Sequence, residues 1–130
     1  MINPSIYRAY DIRGKYPAEI DEDVVRHIVS SLNVRFFKKG PIVIAHDARN
    51  SSPALYKAVI EALRGREIMK VGPSTSPMFY FSVAANKAAG GVMVTASHSP
   101  SEWNGLKIVG PKAVPLNGFD TKKIIEENEG

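Results

Sequence analysis

The chain has 130 residues, enough for one domain with its own apolar core. Its 44% apolar and 23% charged residues exclude wholesale disorder, and its lack of cysteine excludes a disulfide framework, a thiol nucleophile and a cysteine zinc site. A net charge of +4 suits an anionic ligand without naming one, and the basic residues are too dispersed for a nucleic-acid stripe.

The first thirteen residues are interrupted by polar side chains, and no apolar run approaches the ~20 residues of a membrane span. A soluble, cytoplasmic chain with no membrane or nucleic-acid partner is therefore expected. Asp21 is the expected cap of a helix whose apolar positions Val24, Val25, Ile28, Val29, Leu32 and Phe36 recur every three or four residues. Gly40-Pro41 stops it, and the unbroken run Ile42–Ala45 reads as a strand buried on both faces.

The unit then repeats. Ser52-Pro53 reads as an N-cap and first helical residue, Leu55 to Leu63 as an inward face, and Ile68–Val71 as a second buried strand. Ser76-Pro77 opens a third helix reaching Ala88, Gly90-Gly91 closes it, and Val92–Thr95 is the third strand. Leu106–Val109 is a fourth. Ala113 to Leu116 is a short extended piece between turns, and Asp120 caps a last helix from Thr121 towards Asn128. This alternation predicts a three-layer αβα domain, residues 1–130, around a mostly parallel mixed sheet.

Ligands of open α/β sheets bind beyond the carboxyl ends of the strands. Three polar clusters fall there: His46 to Ser51, Gly72 to Ser76, and Thr95 to Ser101. A fourth, Tyr10 to Gly14, lies near the N-terminus. Adjacent Ser97 and His98 would point apart in extended backbone, and no G-x-S-x-G elbow is present. Local chemistry alone leaves this dipeptide as either a polar turn or a reactive loop.

The longer pattern says more. Thr95-Ala96-Ser97-His98-Ser99-Pro100 followed by Asn104-Gly105-Leu106-Lys107 resembles the active-serine signature of the α-D-phosphohexomutases, T-A-S-H-N-P then N-G-x-K, with Ser99 where asparagine is usual. Tyr7-Arg8-Ala9-Tyr10-Asp11-Ile12-Arg13-Gly14 is similar to the N-terminal motif in its phosphomannomutase/phosphoglucomutase form. His46-Asp47-Ala48-Arg49-Asn50-Ser51-Ser52 resembles a third stretch, G-R-D-x-R-x-S, with His46 in place of arginine.

The resemblance implies an enzyme interconverting hexose 1-phosphates and 6-phosphates, of glucose or mannose, through a phosphoserine and a bisphosphate intermediate. It assigns Ser97 as nucleophile, Arg13 and Lys107 as acid/base or charge-stabilising groups, and His98 as an orienting neighbour. Arg8, Tyr10 and Asn104 become candidates for phosphate or substrate binding. Mg²⁺ is the implied cofactor, touched by this chain through the phosphate on Ser97. Its other ligands belong to a D-G-D-G-D motif that is absent here. The expected partners are a hexose phosphate and the remaining domains of a longer enzyme, this chain alone being inactive. Two other readings stay open: a stand-alone phosphosugar-binding or regulatory module without turnover, and a serine phosphatase-like hydrolase.

Overall fold

The computed structural model describes residues 2–130. A six-stranded mixed sheet is made by β1 (Ile12–Lys15), β2 (Ile42–His46), β3 (Ile68–Pro73), β4 (Gly90–Val94), β5 (Trp103–Val109) and the short β6 (Pro115–Leu116). The order is β1-β5-β4-β2-β3, with β6 also on β5. The parallel part is β3-β2-β4; β4-β5, β5-β1 and β5-β6 are antiparallel.

The helices α1 (Glu22–Arg35), α2 (Ser52–Ala62), α3 (Ser76–Ala85) and α4 (Gly118–Glu129) form the outer layers. Strand residues alternate between faces. Ile42, Ile44, Val92, Val94, Leu106 and Ile108 pack with α1, α2 and Ile125 of α4. Val43, Ala45, Met93 and Val109 pack with Phe79 and Val83 of α3. Each large aliphatic side chain buried this way stabilises the fold by about 1.5–3 kcal/mol before entropy is subtracted.

Asp21 caps α1 as expected, its Oδ1 accepting the Val24 N–H at 2.9 Å. The other caps stand elsewhere. Ser51 occupies the cap position of α2, because the Ser52 hydroxyl turns away to donate to Asp47. Thr75, not Ser76, caps α3, and Asn117, not Asp120, caps α4. Helix α3 ends at Ala85, and Gly90 and Gly91 lie inside β4. A Cβ on Gly91 would stand 2.7 Å from the Phe79 ring, and one on Gly90 would meet Phe37 and the Val109 carbonyl. These glycines let helices sit on the strand.

Strand β3 is an edge strand, so its residues are only half-buried, contrary to the expectation of burial on both faces. Strand β5 starts three residues earlier than its apolar run suggests, and β1 was hidden in a charged segment.

Candidate active site

The site is built at the carboxyl end of β4. The chain leaves the strand through buried Thr95 and Ala96 and turns at Ser97. Ser97 has φ +55°, the left-handed region that non-glycine residues seldom occupy. Such backbone costs about 1–2 kcal/mol and persists only where its surroundings hold it.

Those surroundings are visible. The Ser97 N–H donates to Thr95 Oγ1 at 3.0 Å. Arg49, just beyond β2, reaches under the loop. Its Nη2 donates to the carbonyls of Ser97 (2.9 Å) and Ser99 (2.7 Å). Its Nη1 donates to those of Pro100 (2.6 Å) and Trp103 (3.0 Å). Its Nε donates to Asp47 Oδ2 at 3.2 Å. Hydrogen bonds from a charged donor are worth about 1.5–3 kcal/mol each, so this set outweighs the strain at Ser97.

Asp47 anchors the arrangement. Burial by itself would raise its pKa. Hydrogen bonds from the hydroxyls of Ser52 and Thr95 and from the Arg49 N–H, with the Arg49 charge, outweigh that and hold the carboxyl below its ordinary range. Ser52 in turn accepts from Asn104 Nδ2 at 3.0 Å, whose second hydrogen goes to Ser51 at 2.7 Å.

The antiparallel register of β1 and β5 sets the cations. Arg13 stands opposite Gly105, and Lys107 stands two residues along β5 from Gly105, opposite Met93 of β4. Residues two apart on a strand share a face, so Arg13 and Lys107 are diagonal neighbours across bare sheet, roughly 7–8 Å apart by general strand geometry. Arg13 Nε contacts buried Asp11 at 3.0 and 3.1 Å, and Nη1 donates to Ser99 Oγ at 3.2 Å. Lys107 is half-buried and makes no ion pair among the described residues.

The structure thus brings together Ser97, Ser99 and Arg13, with Lys107 on the Arg13 face. Ser97, Ser99 and Ser101 line an open depression of about 350 Å³ with Asp47, Ala48 and Arg49. His98 is exposed at the loop tip. Tyr10 is exposed too. Arg8 lies over the Trp103 ring at 5.2 Å and donates to the Ser5 carbonyl. Asn104 is fully buried beneath the loop with both amide hydrogens committed to α2, a supporting position rather than a lining one.

Arg49 and Asp47 belong to the stretch resembling G-R-D-x-R-x-S, whose sequence alone gives them no role. Their partners are main-chain groups and buried hydroxyls, which no side-chain pattern displays. The one available signal was their place at the carboxyl end of a buried strand.

No group of three or more His, Asp or Glu side chains among the described residues could hold a metal ion. Asp47, the carboxylate lining the loop, is already engaged by Ser52, Thr95 and Arg49. The residues present do not form a magnesium site. A larger hollow of about 530 Å³ lies beside Asn33 and Arg66. There Arg66 is committed to the carbonyls of Asn33, Phe37, Lys38 and Gly40 around the end of α1 and, through Nε, to Asn33 Oδ1, leaving it no donor for a ligand.

Comparison with known proteins agrees with this architecture. Residues 4–129 match the family model for phosphoglucomutase/phosphomannomutase, alpha/beta/alpha domain I. The chain is 45% identical over 113 residues to a protein named phosphohexose mutases from Xanthomonas campestris, covering 85% of this chain and 25% of that one. It is 34% identical to a phosphomannomutase of Klebsiella pneumoniae, covering 99% of this chain and 85% of that one. A solved phosphoglucomutase/phosphomannomutase family protein from Burkholderia thailandensis superposes with a TM-score of 0.86 at 30% identity, over 99% of this chain and 31% of that one. The chain spans about a quarter of the length of the first Xanthomonas relatives it matches.

Proposed function

The chain belongs to the phosphoglucomutase/phosphomannomutase family, and from that membership we propose that it is the nucleophile-bearing first domain of a longer cytoplasmic hexose-phosphate mutase acting on glucose or mannose phosphates. The observation that carries this reading is Ser97, held in left-handed backbone at the end of β4 beside a face bearing Arg13 and Lys107.

In this reading the phosphoryl group on Ser97 Oγ passes to a free hydroxyl of the bound monophosphate. The Oγ–P bond of Ser97 breaks and Oγ takes up a proton, while a sugar O–P bond forms and the sugar hydroxyl gives up its proton. The bisphosphate reorients and returns its other phosphoryl group to Ser97, which restores the enzyme. Charge grows on the oxygens in transit. The Arg13 guanidinium, a planar cationic donor, stabilises that charge. Lys107, which makes no ion pair among the described residues, approaches the same group and carries a proton. Family chemistry supplies a magnesium ion for charge neutralisation; its ligands would come from outside this chain.

The test uses a polypeptide joining this domain to the remaining length of its relatives, in a coupled glucose 6-phosphate assay. Ser97→Ala is expected to reduce turnover to background, and Lys107→Ala to lower it on the order of 100-fold, as for loss of one preorganised charge contact. The 130-residue chain alone should give no turnover. Near-normal turnover by Ser97→Ala overturns the phosphoserine reading. Binding of hexose phosphate by the long polypeptide without isomerisation would favour a binding module instead.

A further inference from the structure

All five N–H groups of the Arg49 side chain are spent: three go to the loop carbonyls of Ser97, Ser99 and Pro100, one to the Trp103 carbonyl at the start of β5, and one to Asp47. A trans peptide holds its carbonyl and the next N–H on opposite sides. Drawing the Ser97 carbonyl inward therefore turns the His98 N–H outward. Drawing in the Pro100 carbonyl does the same for the Ser101 N–H. Neither N–H has a backbone acceptor among the described residues, and Ser97 and Ser101 line the same depression.

We infer that Arg49 is a positioning residue that presents the main-chain N–H of His98, seconded by that of Ser101, to a phosphoryl group on Ser97. The inference deepens the function proposed above and rests on Ser97 being the phosphorylated residue. Arg49 does not itself meet the phosphate: its side chain is 12% exposed, its charge faces Asp47, and it has no donor left. Its work is to turn the loop inside out, with acceptors below and donors above. Fixed donors aimed at a phosphoryl group need no reorganisation as charge develops. Lysine carries three donors on a point charge and cannot reproduce a five-donor planar fork.

The test places phosphoserine at position 97 of the 130-residue chain by genetic encoding and compares ¹H–¹⁵N spectra with and without the phosphate. In the wild-type chain, phosphorylation should move the His98 N–H downfield, with a smaller movement at Ser101. In R49K, with dispersion of the remaining spectrum retained, the His98 shift should fall to less than half. An unmoved His98 N–H in the phosphorylated wild type overturns the inference, and so does an undiminished shift in R49K. The wild-type comparison decides by itself if R49K fails to fold. No turnover is needed, so a shifted His98 beside an inactive long polypeptide would overturn the mutase reading and leave this one standing.

Discussion

Arg13 Nη1 donates to Ser99 Oγ at 3.2 Å across 86 positions of sequence, linking the N-terminal strand to the loop that carries Ser97. The same guanidinium is held from behind by buried Asp11. Ser99 stands where the resembled family usually has asparagine. A hydroxyl and an amide oxygen can both accept from Arg13, so the departure preserves the contact.

The first prediction follows from that contact. In the longer polypeptide, Ser99→Ala should lower kcat about tenfold, the equivalent of ~1.4 kcal/mol of lost positioning. Ser99→Asn should restore most of it. Steady-state kinetics of both variants check this, and equal rates for Ser99→Ala and wild type would show that Arg13 is placed by Asp11 alone.

Asn104 supports a second prediction. Asn104→Leu removes the donors to Ser51 and Ser52 and leaves the Gly105 N–H without its acceptor. Unsatisfied buried groups cost about 1–3 kcal/mol. Thermal melting should show Tm lowered by roughly 5–10 °C at this domain size. A Tm within a degree of wild type would mean that water replaces the amide.

Asp47 makes stability depend on acid in a stated direction. Its folded-state pKa lies below the ordinary 3.8. Its contribution is therefore full above about pH 4, where the unfolded carboxyl is also charged, and is lost as pH falls through the folded value. Urea midpoints should drop as the pH falls below about 4 in wild type, and drop less in Asp47→Asn. Equal drops in both would assign the acid sensitivity to other carboxylates.

The two strand glycines differ in what they face. A Cβ at Gly91 meets the Phe79 ring and Val83 side chain, which can shift; one at Gly90 meets the Val109 carbonyl as well as Phe37. Gly91→Ala should cost about 1–3 kcal/mol as overpacking, and Gly90→Ala more. Chemical denaturation gives both values. The reverse order would mean that β4 moves more easily than α3.

The core was legible because buried strands such as Ile42–Ala45 are continuous apolar runs and α1 shows a clear helical period. Where two hydroxyl residues stand in tandem, as in Ser51-Ser52 and Thr75-Ser76, the cap falls one residue before the one the sequence suggests, since only packing decides which one turns inward. β1 was illegible because Arg13 and Lys15 break its apolar pattern, and its strand nature comes from pairing with β5, some 90 residues away. Ser97, Arg13 and Lys107 are candidates that the motifs supply. The structure adds the reason for the N-G-x-K spacing: Asn104 faces α2, Gly105 leaves the sheet bare, and Lys107 returns to the Arg13 face.

The grip of Arg49 on carbonyls has an effect on what the loop tolerates. Carbonyls are common to every residue type, so the fork sees the course of the backbone and is blind to side-chain identity. Positions 98, 101 and 102 can change chemistry while the turn at Ser97 keeps its shape. The loop is a fixed frame whose course is set from below by Arg49 and not by the side chains it displays.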